Sequence, residues 1–298
     1  MSEVHQIPFG VRTPYIPSGL ETVRFPETLG AKIEVVVATS LHAGFERALE
    51  LEHDTFVSLG DKSTDDNDKE FQPYDSISTF AYAYLADTPF SKLNNDNLVG
   101  MARFIPWTAE YGLKTISDLA KIPFTTNDID TKNQIVDSAI KGSQVDRERL
   151  GYADIYRLLV GRLCVENLAC REDLIVDIAT LAPSFEIQKN IRMSTNLALL
   201  GTSVLYLLAA NRELSETGYG FSHATQFTET KLHKAMNSLG YPSASIAGLT
   251  NILYDTNGDG IAMRADPQVT SAEEIKKVVT NSQGNTHLGT IKSIYERL

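Results

Sequence analysis

Only two cysteines stand among 298 residues, Cys164 and Cys170. That number excludes a disulfide framework. Both fall in one helical pattern, six residues apart, where side chains point to different faces. They read as buried thiols of a reducing compartment, and no CxxC pair suggests a zinc site. Positive charge is scarce as well, with 27 Lys and Arg against 38 Asp and Glu and a net charge of −11. Phosphate contacts need a surplus of Lys and Arg, so no nucleic-acid partner is expected, and an anionic membrane surface is disfavoured. Long apolar runs are missing too. The longest, 197–210, is interrupted by Gly201, Thr202 and Ser203, and a membrane span needs about 20 residues. The opening MSEVHQIPFG has no basic region followed by an apolar one, so no secretory signal is expected. The expected location is cytoplasmic. No internal repeat is found.

What is present is a globular composition, 42% hydrophobic, enough for a packed core. Residues 1–30 are rich in Pro and Gly without a period and read as an N-terminal arm. Residues 32–38 (KIEVVVA) form a β-branched run, hence a strand. A helix follows over 43–56, with Phe45, Ala48, Leu49, Glu52 and Phe56 on one face. Residues 76–85 place Phe80, Tyr82 and Tyr84 on one parity of a strand, and 97–106 form a second strand. A short helix is expected over 112–121 and a polar insertion over 124–148, followed by a helix to 170. Residues 174–181 (LIVDIATL) form a near-continuous apolar strand, expected to be central and ended by Pro183. A long buried helix over 194–214 follows, then a strand over 220–227. The next helix, 228–239, has Leu232, Ala235, Met236 and Leu239 inward and Gly240 just past its end. Two strands, 243–254 and 260–265, flank DTNGDG, and 271–298 is helical in two pieces. This order predicts α/β layers with a mixed, partly antiparallel central sheet, helices on both faces, an inserted helical segment and C-terminal helices.

Several motifs then resemble a known family. They are Arg47 and Phe56 spaced as R-x8-F, Tyr74 and Asp75 as an acidic box before a strand, and Gly100, Arg103, Phe104 and Pro106 as G-x-x-R-F-x-P. The GLKTI stretch at 112–116 follows. In this order they resemble the acyl-homoserine-lactone synthases and related N-acyl amino acid synthases of the GNAT acyltransferase superfamily. The likeness covers roughly 32–265. It departs from that pattern in five places, two of them the insertion 124–170 and the lack, upstream of L-G-Y and near Met236, of the tyrosine that many acetyltransferases use as a general acid. No [RQ]-x-x-G-x-[GA] loop follows the 174–181 strand, the only tryptophan is Trp107, and Gln72 stands where a second acidic residue is expected. The resemblance implies an arm over 1–30, an acyltransferase domain over 31–268 with an insertion at 124–170, and a C-terminal helical extension over 269–298.

It also implies N-acyl transfer from a CoA or acyl-carrier-protein thioester to a small-molecule amine. Such a transfer needs a base for the amine and N–H donors for the carbonyl oxygen. In the resembling fold the splayed fourth and fifth strands supply them, here 174–181 and 221–227. The backbone of Thr180, Leu181 and Ala182 would then cradle the thioester and its pantetheine arm. Asp177 is the only carboxylate of the central strand and costly there unless paired or facing a cleft. It is read as base or amine anchor, or else as a solvent-facing or Arg-paired residue. Glu166 takes its place if CVENLA is the fourth strand. Arg103 either holds an acceptor carboxylate or orders Asp75, or forms a sheet-edge salt bridge; Asp75 contacts the amine or enters a turn. Phe104 belongs to the substrate-binding motif. His223 reads as a core residue. The helix near 195–214 and the parity Phe80, Tyr82 and Tyr84 read as core packing before acyl tunnel. Asp255, Asn257 and Asp259 match the start of a calcium loop, but strand-like flanks make a hairpin turn the preferred reading and no metal is expected. The alternative function is a non-catalytic ligand-binding or structural protein that keeps the fold. A net charge of −11 suits CoA better than an acidic carrier protein.

Overall fold

The computed structural model describes residues 14–59, 72–86, 97–106, 175–183, 188–214, 223–245, 252–254, 263–284 and 286–298. The expected helices of 112–121 and 153–170, with Cys164, Glu166 and Cys170, lie outside these residues, as do Trp107 and the DTNGDG stretch.

Nine described strands form one sheet. They are β1 (Thr22–Arg24), β2 (Ile33–Ala38), β3 (Thr79–Leu85), β4 (Leu98–Pro106), β5 (Ile175–Pro183), β6 (His223–Glu229), β7 (Ala244–Ser245), β8 (Ile252–Tyr254) and β9 (Met263–Ser271). Their order is β1-β2-β3-β4-β5-β6-β9-β7, with β8 also paired to β9. Every pairing is antiparallel except β5 with β6. A parallel pair needs a long crossover, and helix α2 (Lys189–Leu214) lies in that connection. The sheet is mixed with helices on both faces, as expected.

β3 and β4 are buried almost throughout, and alternation assigns their two sides. Phe80, Tyr82, Tyr84 and Met101 pack with Ala48 and Leu51 of helix α1 (Phe45–Leu59). Ala81, Ala83, Ala102 and Phe104 pack with α2. Small residues in β3 and β4 let that helix sit close, and Phe104 stacks on Tyr206 at 4.2 Å between centroids. The aromatic parity and the long helix therefore cover opposite faces and share no tunnel. By length and composition α2 could cross a membrane, but 78% of its apolar window is buried in this fold. It starts five residues before the expected 194, because its polar first turn carries no apolar period.

The arm contributes to the core. Leu20 and Val23 are buried, and Val23 pairs with Val35 across the β1–β2 ladder. The carbonyl of Tyr15 accepts from Thr79 Oγ1 at 2.9 Å and Tyr206 Oη at 3.0 Å.

Helix α3 (Thr230–Ser238) corrects the expected face. Its inward residues are His233 and Met236, whereas Leu232, Ala235 and Leu239 are exposed. The hydrophobic pattern was outweighed by a polar anchor, since His233 bonds Asp266 of β9. Gly240 follows at φ +89°, a conformation that suits glycine. It lets Tyr241 N–H reach back to Met236 at 3.2 Å. β9 also runs further than expected, through Pro267 to Ser271. Pro267 pairs with Phe227 on one side; on the other, neither of the described strands β7 and β8 pairs at that position.

The C-terminal pieces are α4 (Ala272–Asn281) and α5 (His287–Tyr295). Ser271 caps the first by accepting from Glu274 N–H, and Thr286 caps the second by accepting from Gly289 N–H. Ile275, Val279, Leu288 and Ile291 join them to the α2 core.

Three buried or half-buried histidines have lowered proton affinity: burial pushes His287 down to about 4, and lowers His42 and His223 as well. A depressed folded pKa means that the unfolded chain binds the proton first. Stability from these groups is therefore full above about 6.5 and falls as pH drops toward 4. His287 alone accounts for on the order of 3 kcal/mol across that window. Urea melts between pH 7 and 4.5 should show this slope, and His287→Gln should flatten it. An unchanged slope in the variant would show that His287 is not the source.

Candidate active site

At the centre of the sheet two neighbouring strands part. β5 and β6 pair over three residues only: Ile175 with His223, Val176 with Ala224 and Asp177 with Thr225. Beyond them 178–183 pairs with β4, and 226–229 pairs with β9. No described strand continues the ladder between the two. The break has a local cause. Arg103 stands opposite Thr180, but Phe104 stands opposite Ile178, so Ala179 is an extra residue in β5. A bulge bends its strand and increases the twist, and this one comes two residues after the last β5–β6 pair. Past it, Thr180, Leu181 and Ala182 keep β4 on one edge and face the opening with the other. Such an edge presents alternating N–H and C=O groups. Asp177 occupies the last paired position, between Ile105 and Thr225.

A charged cluster backs this opening one strand away. Arg103, paired with Phe80 and Thr180, is fully buried. Its Nη2 donates to Glu52 Oε2 at 2.7 Å, and its Nη1 donates to Asp75. The guanidinium carbon lies 4.9 Å from the Phe80 ring centre. Burial works against the charge, but Glu52 and Asp75 outweigh it and raise the affinity of Arg103 for its proton. Glu52 is 1% exposed, whereas the Asp75 side chain keeps 21% of its surface. Arg103 thus spends its fork on two carboxylates of the chain, and Asp75 is the member that reaches the surface. The turn Gln72–Tyr74 delivers Asp75, held by Ser78 Oγ donating to the Tyr74 carbonyl at 2.6 Å.

The structure therefore gathers Arg103 and Asp75 on the α1 side and places Asp177, Thr180, Leu181 and Ala182 along the strand that leaves the ladder. Phe104 lies apart, fully buried on the α2 side against Tyr206. His223 is a buried strand residue. Glu52 completes the cluster and was not singled out as a site residue from sequence. A signal existed, because a carboxylate on the apolar face of 43–56 must find a counter-charge. A second polar array, of His233, Asp266 and Ser243, had no spacing signal at all, since its members come from three elements.

No family model matches the sequence, and no curated protein does. Among solved structures, TofI in a ternary complex with an inhibitor and MTA matches over 80% of this chain and 91% of its own, at 14% identity and a TM-score of 0.41. BjaI, a CoA-dependent acyl-homoserine lactone synthase with SAM and isopentyl-CoA, matches over 88% of this chain and 87% of its own, at 12% identity and 0.37. MesI, a CoA-dependent acyl-homoserine lactone synthase, covers 88% and 95% at 10% identity and 0.36. Two of these names belong to the family that the sequence motifs resemble. Likeness this distant assigns no activity, ligand or residue role to the chain.

Proposed function

We propose that the chain is an N-acyltransferase of GNAT-like architecture that moves an acyl group from a CoA thioester to a small-molecule amine, in the manner of an autoinducer synthase. The observation that carries this reading is the parting of β5 from β6 after Asp177 and Thr225, beside the bulge at Ala179. Pantetheine is an extended chain with two amides, so it can pair with a strand edge as a peptide does. The edge at Thr180, Leu181 and Ala182 offers that pairing and N–H donors for the thioester oxygen. Asp177 takes a proton from the amine, directly or through water. The N–C bond forms as the C–S bond breaks, and the thiol leaves with a proton. Asp75 holds the acceptor amine, and Arg103, itself pinned by Glu52, positions Asp75. Phe104 acts at a distance, by fixing α2 against the sheet. A carrier-protein donor fits less well, because an acidic protein would meet a chain at net −11.

The test is thiol release from a panel of acyl-CoAs with amino acid and amino-lactone-precursor acceptors. Asp177→Asn should lower turnover at least about tenfold with the melting temperature unchanged. Equal turnover would remove Asp177 from the site. If no acyl-CoA releases thiol and CoA does not raise the melting temperature, the chain is no transferase. CoA protection without thiol release would favour a binding protein that keeps the fold.

A further inference from the structure

A second buried polar array lies on the other side of β6. His233 of α3 and Asp266 of β9 are both buried, and His233 Nδ1 is 2.6 Å from Asp266 Oδ2. Thr230 Oγ1 donates to the other carboxylate oxygen at 2.8 Å. An ionised carboxylate only accepts, so Nδ1 carries the ring proton. The other ring nitrogen, Nε2, lies 3.1 Å from Ser243 Oγ. Ser243 is half-buried, between the turn after α3 and β7. The same hydroxyl also donates to Oδ1 of the exposed Asn237 at 3.3 Å. Ser243, His233 and Asp266 therefore stand in the order nucleophile, base and orienting acid, which is recognised by geometry and not by position in the chain.

We infer that Ser243 is a histidine-activated nucleophile and that this array cleaves small acyl esters or thioesters through a seryl-acyl intermediate. The Ser243 Oγ–C bond forms while its proton passes to His233 Nε2. The ester or thioester bond breaks, and His233 returns the proton to the departing alcohol or thiol. Water then attacks the acyl-serine with the same histidine as base, which releases the acid and restores the hydroxyl. The array requires neither the β5–β6 opening nor an amine acceptor.

The experiment treats the full chain with an alkyl fluorophosphonate, which bonds to an activated serine as fluoride leaves. The adduct is then located by intact and peptide mass spectrometry. The expected result is one adduct per chain, on Ser243, absent in Ser243→Ala of unchanged melting temperature. In His233→Gln the labelling rate should fall at least tenfold. Labelling of p-nitrophenyl acetate-treated protein should map to the same serine. No adduct on the folded wild-type chain, an adduct elsewhere, or an undiminished rate in His233→Gln would each overturn the inference. Because no CoA or amine is present, failure here is separate from failure of N-acyl transfer.

Discussion

Arg103→Ala is expected to destabilise the protein by about 3–5 kcal/mol, the cost of breaking a buried ion pair by removing one partner. The side chain is entirely out of solvent, and so is almost all of Glu52. Removing the guanidinium takes from the buried Glu52 its charged partner at 2.7 Å. Asp75 loses its bond to Arg103. Urea denaturation at pH 7 measures the cost. Arg103→Lys should recover only part of it, because a single ammonium cannot offer two forked bonds. The pair Arg103→Met with Glu52→Leu should recover most of it, since apolar residues of similar volume replace buried ions well. A cost below about 1 kcal/mol for Arg103→Ala, typical of surface pairs, would show that water reaches the cluster. Activity separates the two roles of the residue. The double variant, stable but with Asp75 unheld, should lose acyl transfer while keeping its fold.

Gly289→Ala should cost as much through one methyl group. Gly289 is buried in the first turn of α5, where a Cβ would stand 1.8 Å from the backbone carbonyl oxygen of Gln283. No rotamer relieves a clash with backbone. Either the turn between α4 and α5 opens or α5 moves outward, and the Thr286 cap on Gly289 N–H is lost with it. Forced overpacking costs about 1–3 kcal/mol and loss of a cap about 1 kcal/mol, so about 3 kcal/mol is expected. Thermal and urea melts give the value. Gly284→Ala is the control, because a Cβ there meets nothing within 4 Å. Equal stability of Gly289→Ala and wild type would mean that α5 enters the fold by another path.

The two variants illustrate different kinds of legibility. Strands β2, β3 and β4 could be read from the chain because their burial on one or both sides demands β-branched and aromatic residues in period 2. α1 could be read from the stripe at 45, 48, 49 and 52, and the C-terminal segment as helical in two pieces. Arg103 and Asp75 were visible as a motif, and Asp177 as a charge in an apolar strand. Glu52 was visible on the right face, yet its meaning needed Arg103 to be brought across from β4. α3 was misread for the same reason. Its leucines suggested one buried face, and a bond to Asp266, 33 residues away, selected another.

By itself, then, the chain determined element types, the alternation that divides the sheet into two faces, and which charges would need partners. Those properties follow from local periodicity and from the cost of burying a lone charge, and both can be counted along a sequence. Only the tertiary structure decided that β5 leaves β6 after three pairs, that Arg103 is shared by Glu52 and Asp75, and that His233 meets Asp266 and Ser243. Ladder ends, bulges and side-chain arrays depend on register between segments far apart in sequence, and a one-residue slip such as that at Ala179 leaves no local trace.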